Sequence, residues 1–361
     1  MIRLLLLIAL SFTFYSCASK RSAPLTAIGS YAAPHNISDM VLIYDGGAHR
    51  DRWDEERFRP YVYAQHKNDE KGDWLFDGFL FLEIFDSDRV GFASGYRPFS
   101  AKKEDWLKLL DHYFEKEMGL NALDQCIENA KKICGKLPFK RKIVMSLPEP
   151  ISQQKDWGSI NGVALDFSKD EDRIKASEWF IDRIVERFKK EQLSNIELEG
   201  FYWLAEEATN TRTFVKNISE YLKRGHQYSF YWIPYFKSDG YDTWETLGFD
   251  RAYLQPNHFF DTNIPDSRID ETCFIAKQYN MSLEMEFDER IVENDAMRAR
   301  LFAYIDGFKR NDVFKQTDIA YYVGSDGMNI LWNGDKKDVE LYYNLTDIIV
   351  KRQRSRELRN K

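Results

Sequence analysis

The chain has 361 residues, 43% of them hydrophobic and 15% aromatic, and its formal net charge is −7. This length suits one large barrel domain, which typically takes about 250 residues or more. The negative charge argues against a general nucleic-acid binder, which would normally carry a basic surface. The aromatic content favours a carbohydrate site, because flat rings stack on the apolar faces of sugars, although a large aromatic core would give the same figure.

The first 16 residues have the pattern of an export signal. Arg3 supplies a basic start, residues 4–10 are apolar, and Ser16 directly precedes Cys17. The apolar run is shorter than the roughly 20 residues of a membrane-spanning helix. A small residue before cysteine resembles the bacterial lipobox. We therefore expect a lipoprotein signal peptide over 1–16, a lipid on Cys17 that anchors the protein to a membrane, and a place in the cell envelope facing the periplasm or the outside; an ordinary secretory peptide is the alternative.

The next segments predict a tether followed by a repeating fold. Residues 17–38, rich in Ser, Ala, Lys and Pro, indicate a flexible tether. Eight apolar runs then alternate with stretches of helical spacing, and the runs cover residues 41–46, 77–84, 142–147, 197–203, 228–235, 251–255, 282–287 and 318–323. Parallel strands need crossover connections, and eight such units close into a barrel. We predict one α/β domain over 39–361, a single (β/α)₈ TIM barrel whose site lies in the loops after the strands.

The cysteines do not point to a disulfide or a metal. Cys126 and Cys134 are eight positions apart in a predicted helix, or about 12 Å, which is too far for a disulfide bond. Cys273 is isolated, and no pair has the spacing of zinc ligands. We expect neither a metal nor a cofactor.

Two carboxylates are singled out by position among many acids. Alternation in the seventh run places Leu283, Met285 and Phe287 on one face and Glu284 and Glu286 on the other. In a barrel the apolar face meets the helices, so both glutamates point inward, and Glu286 is nearer the exit. Buried carboxylates are costly, so we predict a catalytic role for Glu286, with a buried structural network as the alternative, and we expect Glu284 to be its partner or a member of an interior ion pair.

Further polar and aromatic residues follow the same strands. At the fourth exit we choose Glu206 over its neighbour Glu207 as the second catalytic carboxylate. The expected substrate binders are Asp45, His49 and Arg50 after the first run, Glu83 in the second, Glu149 after the third, Trp203 in the fourth, Tyr235 at the end of the fifth, Asn257 and His258 after the sixth, Glu284 in the seventh and Asp326 after the eighth. For Glu149 a plain turn residue is the alternative, and for the aromatic residues an ordinary core position is.

Four segments carry a family resemblance: Tyr44-Asp-Gly-Gly, Phe76-Asp-Gly-Phe-Leu-Phe-Leu, Gly200-Phe-Tyr-Trp-Leu-Ala-Glu and Glu284-Met-Glu-Phe-Asp. With them the chain resembles a family of bacterial lipoproteins of unknown function, grouped by fold with glycoside-hydrolase-like (β/α)₈ barrels. The resemblance implies an acid/base at the exit of strand four and a nucleophile at the exit of strand seven, which Glu206 and Glu286 match. Ala205 stands where the largest such clan has asparagine, a departure that bears on the retaining mechanism.

The leading hypothesis is therefore a monomeric glycoside hydrolase acting on a poly- or oligosaccharide. Carboxyl groups about 5 Å apart imply retention of configuration, and a separation of roughly 6.5–9.5 Å implies inversion. The alternative is a membrane-tethered glycan-binding protein without turnover, since barrel folds host many functions. The sequence contains neither a G-x-S-x-G elbow nor an H-E-x-x-H motif, which removes the simplest versions of another hydrolase.

Overall fold

Eight parallel strands close into a barrel in the computed structural model, which describes residues 29–66, 69–86, 89–225 and 227–359. The strands are β1 (Asp39–Tyr44), β2 (Gly78–Leu82), β3 (Arg141–Leu147), β4 (Ile196–Trp203), β5 (Ser229–Trp232), β6 (Arg251–Leu254), β7 (Ser282–Glu286) and β8 (Ile319–Tyr322). Each strand pairs with the next along the chain, and β8 closes the circle on β1 with Asp39 opposite Ile319. The predicted (β/α)₈ fold is confirmed, and each strand falls within or close to its predicted run.

Helices lie between the strands and pack around the barrel. They are α1 (Glu55–Val62), α2 (Lys103–Tyr113), α3 (Gly119–Cys134), α4 (Asp170–Glu191), α5 (Val215–Gly225), α6 (Ser267–Gln278), α7 (Asp295–Arg310), α8 (Val313–Gln316), α9 (Gly327–Asn333) and α10 (Lys336–Arg359). Short 3₁₀ turns cover Tyr241–Thr243 and Glu289–Ile291. Three two-stranded sheets decorate the loops: Tyr63–Ala64 with Asp73–Trp74, Val90–Gly91 with Phe99–Ser100, and Ser159–Ile160 with Val163–Ala164.

The alternation of side chains along β7 illustrates how the sequence specifies the wall of the barrel. Leu283 and Met285 are buried, as are Glu284 and Glu286, which belong to the other face of the same strand. A strand in a closed barrel has no solvent-facing side, so both faces are covered. Only the inner face leads to the open end of the barrel, and the two glutamates are therefore the residues of β7 that can reach a ligand.

The segment before β1 packs on the N-terminal end of the barrel. Tyr31 and Ile37 are buried, the backbone N–H of Ala32 donates to the carbonyl of Met281 (3.2 Å), and that of His35 donates to Asp318 Oδ2 (2.8 Å). In the described part of the predicted tether, residues 31–38 are thus held by the barrel. Residues 17–28, the lipidation site Cys17 and the predicted signal peptide lie outside the described residues.

The C-terminal helix α10 covers the same end of the barrel. Arg352 donates from Nε to Asp39 Oδ1 (2.6 Å) and from a terminal nitrogen to the carbonyls of Ser38 (2.8 Å) and Thr317 (3.0 Å). Gln353 donates to the other oxygen of Asp39 (2.7 Å). These bonds fix α10 to the first residues of β1 and to the turn before β8. Within the described ranges, no helix has both the length and the apolar composition that a membrane crossing requires.

Candidate functional site

A cavity of about 350 Å³ opens at the C-terminal ends of the strands. Every barrel strand except β3, or the loop that follows it, contributes to its lining. The lining residues are Leu42, Tyr44, Arg50, Ile84, Phe85, Tyr202, Glu206, Ile233, Gln255, Asn257, Phe260, Glu284, Glu286 and Tyr322. Ligand sites of barrel proteins lie at this end, and cavities of about 300–1,000 Å³ are typical of small-molecule sites.

Glu286 is the most enclosed of the acidic groups in the cavity. It is 1% exposed, and its Oε2 accepts hydrogen bonds from the Tyr304 hydroxyl and from the backbone N–H of His258 (3.3 Å). Its Oε1 has no hydrogen-bond partner among the described residues. Burial raises the pKa of Glu286 to about 7, and hydrogen bonding from Tyr304 and from the backbone of Asn257 and His258 opposes the shift because it favours the charged form. This unpartnered oxygen is therefore available to interact with a ligand in the cavity.

Glu284 lies one step deeper on the same face of β7. Its side chain is buried and lines the cavity. Burial raises its pKa well above the usual range, and the negative charges of Glu286 and Glu206 act in the same direction. Two carboxylates that share a buried site do not both ionise easily, so burial and mutual repulsion favour the neutral form of this pair.

Glu206 completes the acidic group from the exit of β4. Its Oε2 accepts a hydrogen bond from the Tyr96 hydroxyl (3.4 Å), and its side chain is half-buried. Burial raises the pKa of Glu206, and hydrogen bonds from Gln255 and Tyr96 oppose that shift. Strand β4 is separated from β7 by β5 and β6, so two different parts of the barrel wall present carboxyl groups to one space.

Arg50 is the basic residue of the cavity lining, and its charge is already paired. Its Nε donates to Glu83 Oε2 (3.0 Å) and a terminal nitrogen donates to Oε1 (3.2 Å). The remaining nitrogen donates to Ser325 Oγ (2.5 Å). Glu83 is fully buried and does not line the cavity, so its role in the structure is to hold Arg50 and the turn at Gly47 rather than to touch a ligand.

Several predicted binders lie away from the cavity. Asp45 is buried and accepts from His112 (2.6 Å), while exposed His49 stacks on Phe85 (4.6 Å between ring centroids). The prediction that these residues contact substrate is not supported by their position. Asp45 joins β1 to α2, and His49 packs on Phe85, which is a residue of the cavity lining.

Glu149 and Asp326 anchor loops. Glu149 accepts from the backbone N–H (2.7 Å) and the hydroxyl (2.8 Å) of Ser94, which ties the loop after β2 to the exit of β3. Asp326 pairs with Arg57 (3.0 Å), next to α9. Neither residue lines the cavity. Their carboxylates are therefore structural links between neighbouring loops, which is the turn-residue alternative in the case of Glu149.

The predicted aromatic platforms prove to be wall and rim residues. Trp203 is 1% exposed and packs edge-on against Phe214 and Phe230, behind the strand. Tyr235 donates its hydroxyl to Glu207 (2.7 Å) outside the cavity. The inward ring of β4 is instead Tyr202. Since neighbours on a strand face opposite sides, Tyr202 faces the cavity and Trp203, the next residue of β4, faces away from it.

The turn after β6 packs against the side chain of Glu286. Asn257 has a positive φ of 47° and accepts from the backbone N–H of Phe236 (2.9 Å). His258 is fully buried; its Nε2 is 2.8 Å from Asp266, and Arg300 donates to its carbonyl. Burial and Arg300 lower the pKa of His258. Asn257 lines the cavity, whereas His258 reaches it through its backbone N–H alone.

Sequence reasoning missed the tyrosines and the glutamine of the site. Tyr44 and Tyr322 meet edge to face (5.6 Å between centroids), and Phe260 packs on Tyr322 (5.4 Å). Gln255 and Tyr304 bond to the carboxylates. The position of Gln255 at the exit of β6 was a usable signal, but nothing in the sequence of α7 indicates that Tyr304 reaches into the barrel.

Fold and site together define a (β/α)₈ barrel with an acidic, aromatic-lined cavity at the carboxyl ends of its strands. The chain belongs to the family described as domain of unknown function DUF4855, whose model matches residues 39–347. No curated protein matches the sequence. Among solved structures the chain is similar to the endo-1,4-beta-mannanase from Rhizomucor miehei, with 13% sequence identity and a TM-score of 0.38, over 76% of this chain and 86% of the mannanase chain. Among the described residues, no three His, Cys, Asp or Glu side chains are grouped to hold a metal ion.

Proposed function

We propose that this protein is a glycoside hydrolase in which Glu206 and Glu286 are the two catalytic carboxyl groups. The observation that carries the proposal is that both line one cavity, from strands three positions apart, while Glu286 Oε1 has no hydrogen-bond partner in the part of the chain that the structure describes. Most glycoside hydrolases use two carboxyl groups that flank the scissile glycosidic bond. Carbohydrate is the substrate class that this pairing and the aromatic lining support.

The environments of the two groups fit different roles. Glu206 would protonate the leaving oxygen: burial raises its pKa, as it does that of Glu286, and Glu206 is the more exposed of the two carboxyl groups. Glu286 would attack the anomeric carbon or activate a water molecule, and its anionic form is stabilised by Tyr304 and by the N–H of His258. The stereochemistry of the product would distinguish these two roles of Glu286.

The charge of the cavity supports a neutral sugar over an acidic one. Three glutamates line the cavity, and the positive charge of Arg50 is taken up by buried Glu83. A uronic or sulfated sugar would add a negative charge to a cavity whose lining, among the described residues, has no unpaired basic side chain to balance it. We therefore propose a neutral poly- or oligosaccharide as the substrate.

Substitution of each carboxyl group tests the assignment. Glu206→Gln and Glu286→Gln are each expected to lower kcat by about 10²–10⁴-fold on a neutral glycan that the unmodified protein cleaves. The matched control is Glu197→Gln, at the opposite end of β4, where the exposed side chain pairs with Lys142. Products are followed by chromatography over a panel of polysaccharides. Full turnover by either catalytic-site variant would contradict the proposal.

The alternative function, glycan binding without turnover, predicts a different pattern. Saturable binding of a glycan with no product after long incubation, unchanged by Glu286→Gln, would favour it.

We also propose that the chain is a monomer anchored in the cell envelope through a lipid on Cys17. Labelling of the whole protein with a radioactive fatty acid, lost in Cys17→Ser, is the expected result; label retained in that variant would place the lipid elsewhere.

A further inference from the structure

A second cavity, of about 570 Å³, lies at the end of the barrel opposite to the carboxylates. It is bounded by the C-terminal end of α7, by α8 and by α10, and its apolar wall includes Phe308, Phe314 and Ile348. Protein interiors leave few voids larger than a water molecule, and this volume is that of a small-molecule site. The cavity shares no lining residue with the proposed active site.

The mouth of this basal cavity is cationic. Lys309, Lys315 and Lys351 line it, and all three are exposed. Lys315 pairs with Asp312 (2.7 Å), whereas Lys309 and Lys351 form no ion pair with any residue that the structure describes. In a chain of net charge −7, two unpaired ammonium groups beside an apolar cavity favour a ligand that has an anionic head and an apolar body.

The inner end of the basal cavity holds a buried acceptor. Asp318 is 1% exposed; its Oδ2 accepts from the N–H of His35 (2.8 Å), and Arg251 lies 3.7 Å from that oxygen. Its Oδ1 has no partner among the described residues. Buried polar atoms are nearly always satisfied, so this oxygen is expected to accept a hydrogen bond from water at the inner end of the cavity. Burial raises the pKa of Asp318 to about 6.

We propose that the basal cavity binds a single-chain anionic amphiphile of the fatty-acid class. The acid group lies at Lys309 and Lys351, and the chain lies against Phe308, Phe314 and Ile348. Lysine ammonium groups meet an anion at the rim, and the apolar walls remove the chain from water, which is the larger contribution to affinity. The site is separate from the proposed glycosidase chemistry and stands whether or not the protein hydrolyses glycans.

Titration of the full chain with a dansyl-labelled fatty acid, followed by probe fluorescence, tests the proposal. We expect saturable one-to-one binding that unlabelled hexadecanoate displaces and hexadecanol displaces poorly. The double variant Lys309→Ala/Lys351→Ala should bind the probe about tenfold more weakly. The matched control is Lys108→Ala/Lys116→Ala, two exposed lysines at and just after α2, which should leave the affinity unchanged.

A second variant separates a lost site from a lost fold. Ile348→Trp fills the cavity, and we expect it to abolish probe binding while the thermal unfolding midpoint stays the same or rises. Three results would overturn the proposal: no saturable binding, equal affinity in all variants, or binding to anionic phospholipid vesicles without binding to the monomeric probe. The last would mean that the cationic rim recognises a membrane surface rather than a ligand inside the cavity.

Discussion

At the scale of single residues, the pKa of Glu286 is set by effects that oppose each other. Burial disfavours its charge, and the charge of Glu206 does so as well, while Tyr304 and the N–H of His258 favour it. The outcome is a pKa of about 7, close to the working range of most enzymes. Small changes in any of these neighbours should therefore appear directly in the pH dependence of activity.

Tyr304→Phe isolates the contribution of the tyrosine hydroxyl. Loss of this donor leaves the anion of Glu286 less stabilised, so the pKa of Glu286 should rise. We expect the acidic limb of the kcat/KM profile to move upward by about one pH unit, with little change on the alkaline side. Tyr321→Phe is the control, because its hydroxyl also donates to a buried carboxylate, Asp39 (2.8 Å), at the far end of the barrel. Equal shifts in both variants would contradict a local effect.

The same carboxyl group links stability to pH. The folded protein keeps a proton on Glu286 up to about pH 7, whereas the unfolded chain loses it near the ordinary value of 4.5. The folded state thus binds more protons in this window, and the free energy of unfolding should fall as pH rises through it. Urea unfolding at several pH values should show a flatter decline for Glu286→Gln than for the unmodified protein. Glu197→Gln should keep the original slope; parallel curves for Glu286→Gln would refute the link.

At the scale of the element, α10 closes the base of the barrel, and buried Arg352 makes several of the bonds that hold it there. Arg352 is bonded to Asp39 and to two backbone carbonyls, and removing it leaves the Asp39 charge without its main partner. We expect Arg352→Met to lower the free energy of unfolding by about 3–5 kcal/mol. Arg354→Ala, which breaks an exposed pair with Asp73 on the same helix, should cost about 1 kcal/mol or less. Chemical denaturation of the two variants compares them; equal losses would mean that burial of the pair is immaterial.

The sequence predicts the strands and their inward faces better than it predicts the contacts between distant loops. Period-two alternation placed Glu284 and Glu286 on the inner face of β7, and the structure agrees. The same rule puts Tyr202 and Trp203 on opposite faces of β4, and it is Tyr202 that lines the cavity. The side-chain chemistry of Trp203, which suggests a stacking platform, carries no information on the direction that the ring faces. Asp45 and Glu149 show the other limit: their partners His112 and Ser94 come from distant loops, and no local pattern encodes such contacts.

At the scale of the whole molecule, the N-terminal segment belongs to the folded body. A chain that begins at residue 29 keeps Tyr31, Ala32 and His35 and their bonds to the barrel, and it is the reference for this comparison. A chain that begins at residue 37 loses them, and we expect a decrease of roughly 2–4 kcal/mol in the free energy of unfolding. Thermal or urea unfolding measures the difference. Identical stability would mean that residues 29–36 contribute nothing to the fold, as a free tether would.

The close approach of β4 to β5 at Gly200 has a consequence for the distant end of the strand. The pairing of β4 with β3 shifts register between Leu198 and Gly200, and a Cβ on Gly200 would lie 2.2 Å from the carbonyl oxygen of Ser229. A methyl group there must push the two strands apart or turn one of them. Glu206 follows the C-terminal end of β4. The orientation of its carboxyl group therefore depends on the absence of a side chain at Gly200, which lies deeper in the barrel. We therefore expect a substitution at Gly200 to reduce turnover, although Gly200 is not part of the cavity lining.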